Sequence, residues 1–93
     1  MSFQTFQVTG VLTAIEDAVE FSPKYKEKTF VVKYDTSADY AYDAALTLAN
    51  TKIGMIDGFD IGENITVHFN VSSRKVKDNY YTKLNVWKIE PAR

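Results

Sequence analysis

Ninety-three residues, 45% hydrophobic and 25% charged, are expected to form a single globular domain over 1–93, since a chain of this size buries one core and leaves nothing for a second, catalytic domain. Without cysteine the chain has no disulfide, thiolate metal site or cysteine nucleophile, and a reducing cytoplasm fits it. The formal net charge of −1 argues against a wholly basic protein of the kind that coats duplex DNA, but it hides blocks: −3 over residues 1–20, +3 over 21–34, −5 over 35–63 and +4 over 64–93.

The opening MSFQTFQVTG has neither a basic leader nor a continuous apolar run, so it is expected to be structural. From Phe6, the residues Val8, Gly10, Leu12 and Ala14 recur at period two, the spacing of a half-buried strand, and Gly10 within it suggests a bulge or bend. Residues 16–28, polar and containing Pro23, read as a long hairpin loop. TFVVKY then predicts a second strand, and DTSAD a loop. The even positions Tyr40, Tyr42, Ala44, Leu46 and Leu48 predict a third strand. Asn50 is placed to cap a short helix carrying Ile53 and Ile56 that Gly58 ends. Ile65, Val67, Phe69 and Val71 form the clearest alternation, a fourth strand; RKVKDN is turn material. Tyr80 to Ile89 is the fifth strand, with Leu84 and Val86 inward and Lys83, Asn85 and Trp87 opposite.

The order β-β-β-α-β-β is that of the OB-fold, an all-β five-stranded Greek-key barrel that binds oligonucleotides or oligosaccharides on one face and through the loops joining strands one to two and four to five. Both positive blocks fall on those two loops, while the −5 block falls on the approach to strand three and on the helix.

VTGVL, TFVVKY, IGENITVHFNVSSRKVK and YYTKLNVWKI together resemble bacterial and phage single-stranded DNA-binding proteins of the OB-fold type, over nearly the whole chain. In that resemblance Gly10 corresponds to the bend of the first strand and Gly62 to the turn before the fourth. Arg74 and Lys75 correspond to a basic pair closing the fourth strand, and Tyr81 with Thr82 to the start of the fifth. Val76 stands where the family often has a stacking tryptophan, and an acidic partner-recruiting tail has no counterpart in EPAR. The resemblance implies single-stranded DNA as the partner, with RNA admitted, a role in replication or recombination in a bacterial or phage-infected cell, assembly into dimers or tetramers, and no catalysis or cofactor.

Binding of unpaired strands needs cations along the backbone and flat rings for bases, each stack worth roughly 1–3 kcal/mol. Lys24, Lys26, Lys28, Lys33, Arg74, Lys75, Lys77 and Lys83 are the phosphate candidates, taken as a set because a single lysine is more often a solvated surface residue. Tyr25, in the first basic loop, is a stacking candidate. Tyr80 and Tyr81 alternate sides, so one should face in and one out. Trp87 stacks or covers a barrel end or interface. Tyr42 matches a stacking position by resemblance, and its parity with Leu46 and Leu48 favours the core. Phe6, Phe30, Tyr34 and Phe69 are read as core. His68 is read as a polar outward residue without a catalytic partner, and no metal site is expected. The alternative is an OB-like module for protein–protein interaction or assembly, whose aromatic last strand packs on a partner.

Overall fold

The alternation at the start of the chain becomes β1 (Phe6–Ile15), followed by β2 (Val19–Ser22), β3 (Tyr25–Tyr34), β4 (Tyr42–Ala49), a 3-10 helix (Asn50–Gly58), β5 (Asn64–Val76) and β6 (Asn79–Pro91). The structure, a computed structural model, describes residues 6–34 and 41–92. The loop expected at 35–39 with its Asp35 and Asp39, and Tyr40, lie outside the described residues.

The strands close into a ring. β1 pairs with β5 from Phe6 to Val11 and with β3 from Val11 to Ile15, so it serves two neighbours by turning across the barrel. β3 pairs antiparallel with β4, β4 meets β6 in parallel at Thr47 and Asn85, and β6 returns antiparallel to β5. This is the OB barrel expected from the element order. Gly10 sits where β1 changes partner. A Cβ there would press into the Lys33 carbonyl oxygen and stand 2.8 Å from Val32 Cγ1, so the close approach of β3 requires glycine. Gly62, at φ 97°, makes the turn before β5, and its N–H donates to the Leu12 carbonyl at 2.7 Å.

Leu12, Phe30, Val32, Leu46, Leu48, Ile65, Val67 and Val86 fill the interior, and Ile56 joins them from the helix. Each such side chain contributes roughly 1.5–3 kcal/mol by leaving water. Ile53 and Met55 pack partly against this cluster, so the helix serves as a lid on the core.

Four local expectations are corrected. Residues 16–28 are not one loop: β2 pairs with the start of β3, leaving only 16–18 and the turn at Pro23 and Lys24 outside the strands. A two-stranded ribbon standing off the core needs no apolar alternation, so its polar sequence concealed it. The helix is 3-10, and Asn50 is its first residue, not its cap. Ala49 occupies the cap without a side-chain bond, while Asn50, at φ 52°, accepts the Lys26 N–H on Oδ1 at 3.0 Å. Gly58 ends the helix as expected. Phe6 is 41% exposed, because it lies at the strand's end beyond the core, where its ring stacks on the half-buried Phe69 at 5.9 Å. Tyr42 likewise has the parity of Leu46 but lies past the packed interior, 52% exposed, with its ring 5.7 Å from that of Tyr34.

Candidate nucleic-acid interface

β5 and β6, thirteen residues each, outrun the barrel and project as a hairpin turning at Lys77 and Asp78. β2 and β3 project as a second hairpin, turning at Pro23 and Lys24. Because side chains alternate across a strand, each hairpin has two faces, and one face of each meets the other. Tyr25 from β3, Ser72, Arg74 and Val76 from β5, and Tyr81, Lys83 and Asn85 from β6 line a groove of about 430 Å³. Cross-strand pairing explains the set, since Ser72 lies opposite Lys83 and Arg74 opposite Tyr81. Asn85 Nδ2 donates to Ser72 Oγ at 2.8 Å.

The two walls are tied by Glu27, which the sequence reading did not single out. It is only 8% exposed, the one charged residue buried among those described. Its Oε2 accepts from the Tyr25 hydroxyl and from Lys83 Nζ, joining β3 to β6. Burial pushes the Glu27 pKa up, but the hydrogen bonds from Lys83 and Tyr25 and the Lys83 charge outweigh it and hold the carboxyl below its ordinary value. The hydrogen bond to Glu27, then burial, then the carboxylate's charge raise the Tyr25 phenol above its ordinary value. Phe21, exposed on β2, lies 6.0 Å from the Tyr25 ring, and Lys83 Nζ lies 5.9 Å from the Phe21 ring centroid.

The groove thus gathers Tyr25, Arg74, Tyr81 and Lys83 of the sequence-derived candidates. Lys75 and Tyr80 face each other on the opposite side of the hairpin, with the ammonium 5.8 Å from the ring centroid. Tyr80 and Tyr81 do alternate sides, but neither points into a core, because the hairpin there stands clear of the barrel and both are exposed. Lys77 occupies the hairpin turn at φ 57°. Lys24 and Lys26 are exposed at the β2–β3 tip, beside the groove and outside its lining. Lys28 shares its side of β3 with Phe30 and is half-buried. Lys33 lies at the far end of β3, opposite Asp43.

Trp87 is the extra residue of a bulge opposite His68 and Phe69, which turns its ring to within 5.3 Å of His68 and away from the groove lining. His68 Nε2 lies 3.1 Å and Lys88 Nζ 3.2 Å from Glu90 Oε2. The Lys88 hydrogen bond, followed by that of His68, lowers the pKa of Glu90. Ser72, Val76 and Asn85 line the groove without having been among the binding candidates, although their parity with Arg74 and Tyr81 placed them on that face. Glu27 carried one signal, an acid alone among lysines at the parity of Tyr25.

Among the described residues no cluster of three or more His, Cys, Asp or Glu side chains is placed to hold a metal ion. No described helix is long and apolar enough to cross a membrane.

The model of a family described as "Domain of unknown function (DUF3127)" matches residues 7–90. No curated protein matches the sequence. Among solved structures, the mitochondrial single-stranded DNA-binding protein Rim1 of S. cerevisiae superposes with a TM-score of 0.77 at 10% identity, covering 97% of this chain and 96% of that one. A second single-stranded DNA-binding protein of Mycobacterium smegmatis, SSBb, gives 0.70 at 11% identity, covering 97% and 89%. The N-terminal domain of PriB from Thermoanaerobacter tencongensis, a dimeric structure, gives 0.66 at 14% identity, covering 96% of each chain. At such identities the likeness is one of fold, and it bears out the OB-fold resemblance read from the sequence.

Proposed function

The chain belongs to the DUF3127 family, and we propose that it binds single-stranded DNA without strong sequence preference, with RNA admitted by the same chemistry. One observation carries this reading: the two hairpins of an OB barrel meet in a groove that presents the rings of Tyr25 and Tyr81 beside the guanidinium of Arg74. Unpaired bases stack on such rings whatever their sequence, and cations track the backbone. Among the described residues Arg74, Lys75, Lys77, Lys24 and Lys26 enter no ion pair, so their charge is available to phosphates. The likeness of fold to proteins named for single-stranded DNA binding supports the same reading. The protein acts by binding and catalyses no reaction. Its role is strand protection in replication or recombination, in the cytoplasm of a bacterium or phage-infected cell.

A single OB fold covers roughly 4–16 nucleotides, so assembly of copies along a strand suits the task. Exposed Phe6 and Val71, with the partly buried Phe69 and Leu84, give an apolar stripe on the side of the β5–β6 hairpin away from the groove, and it is the surface we assign to self-association. The protein–protein module keeps one supporting observation: β2 is the last strand of the sheet order, with Val19 and Phe21 exposed on it.

The test is fluorescence anisotropy of a dye-labelled oligo-dT across a salt series, a readout that does not depend on Trp87. Binding whose log affinity falls linearly with log salt is expected. No binding at low salt overturns the reading in favour of the protein–protein module. Replacing Arg74, Lys75 and Lys77 together by Ala should weaken oligo-dT binding and make its salt slope shallower, whereas a protein that binds an oligosaccharide instead would keep its sugar affinity through the same change.

A further inference from the structure

An acid buried between the walls of a groove for polyanions is a cost unless it does something. Glu27 stands behind Tyr25 and Lys83, holds both on one carboxylate oxygen, and is kept ionised by them. Lys83 is therefore occupied: its ammonium is bound to Glu27 on one side and rests near the Phe21 ring on another. At its inner end, next to the barrel, the groove presents Ser72, Asn85, Tyr25 and a cancelled charge pair. Towards the hairpin tip it presents Arg74, which has no ion-pair partner among the described residues, beside Tyr81.

Resting on the single-strand reading above, we infer that Glu27 is a specificity-determining residue that makes the inner end of the groove a site for an uncharged base and closes it to phosphate. A carboxylate repels a phosphate brought close to it in a partly dry groove, and it withdraws from the ligand the one cation nearby. A base meets no such penalty, since Tyr25 offers a ring face and Ser72 with Asn85 offer hydrogen-bonding groups. The ligand thus lies with a base inward and its phosphates outward along Arg74. A featureless polyanion has charge everywhere and nothing to place at the inner end. Glu27 in this way separates unpaired nucleic acid from other chains of phosphate.

The experiment measures the affinities of oligo-dT and of inorganic polyphosphate across a salt series, for the wild type, Glu27→Gln and the double variant Glu27→Gln with Lys83→Met, each checked for folding by circular dichroism. Freed from its partner, Lys83 should contact phosphate in Glu27→Gln. Polyphosphate affinity then rises several-fold at low salt, and the slope of log affinity against log salt steepens by about 0.7, the contribution of one further phosphate contact. The double variant should return both quantities to wild-type values. Unchanged polyphosphate binding in Glu27→Gln, or a gain that persists in the double variant, overturns the inference. Should Glu27→Gln fail to fold, the charge-balanced double variant decides alone: an oligo-dT salt slope equal to wild type supports the inference, and one shallower by about 0.7 refutes it. If the wild type does not bind oligo-dT while Glu27→Gln still gains polyphosphate affinity, the single-strand reading falls and the exclusion of phosphate by Glu27 stands. Oligo-dT binding without that gain is the reverse result.

Discussion

On one face of the β5–β6 hairpin Arg74 lies opposite Tyr81, and on the other Lys75 lies opposite Tyr80, so each face sets one cation beside one tyrosine across the same two strands. Their surroundings differ. The Arg74 face meets a second wall, where Tyr25 and the Glu27–Lys83 pair complete a groove, while the Lys75 face continues towards the apolar side chains of Val71 and Leu84. Residue type alone therefore does not distinguish the two faces of this amphipathic hairpin. Concavity does, and on the single-strand reading proposed above it favours the Arg74 face, because a base gains most when a ring and a cation reach it from more than one side.

The strongest way to break the comparison is to remove rings. Replacing Tyr25 and Tyr81 by Ala should each lower oligo-dT affinity by roughly 1–3 kcal/mol in an anisotropy titration, whereas Tyr80→Ala should leave it nearly unchanged. Equal losses at Tyr80 and Tyr81 would mean that the hairpin binds on both faces. Charge comes next. Arg74→Ala should make the salt slope shallower by about 0.7, and Lys75→Ala, outside the groove, by less.

Proton linkage sharpens the comparison in the free protein. With the Glu27 pKa depressed by folding, its stabilisation is complete above the ordinary carboxylate value of about 4.3 and is lost as pH falls through the lower folded value. Tyr25 has the opposite sign: its folded pKa is raised, so its stabilisation is present below the ordinary phenol value of about 10 and disappears as pH rises past the folded one. Thermal melts should show both limbs, and Glu27→Gln should flatten both, leaving at acid pH the contribution of Glu90. No equivalent tie lies under the Lys75–Tyr80 face. The smallest effect belongs to the turn that both faces share. Lys77 adopts φ 57°, so Lys77→Gly should stabilise the fold by roughly 0.5 kcal/mol, seen as a small rise in Tm, even as it removes one cation from the set offered to phosphates.

Much of this architecture was legible in the residues. Alternation located β1, β3, β5 and β6, and the helix between the third and fourth barrel strands identified the barrel, which in turn brought the two basic hairpins together. Legibility failed where local pattern and tertiary surroundings part. β2 has no buried side, so it shows no alternation. Tyr42 and Phe6 have inward parity but lie beyond the end of the core, a limit that parity cannot express. Trp87 is rotated out of register by a bulge that appears only when β5 and β6 are paired.

What the sequence determined by itself is therefore which side chains share a face of a strand, because that depends on neighbours two residues apart, along with the places where only glycine or a turn could stand, as at Gly10 and Gly62. Which faces meet was decided by the tertiary structure. Glu27 and Lys83 lie 56 residues apart and belong to strands that are not adjacent in the chain. They come within bonding distance only because β4 pairs with β3 on one side and with β6 in parallel on the other, closing the barrel beneath both hairpins. A charge that looked like one more solvated lysine is held in place by that closure, and so is the acid that holds it.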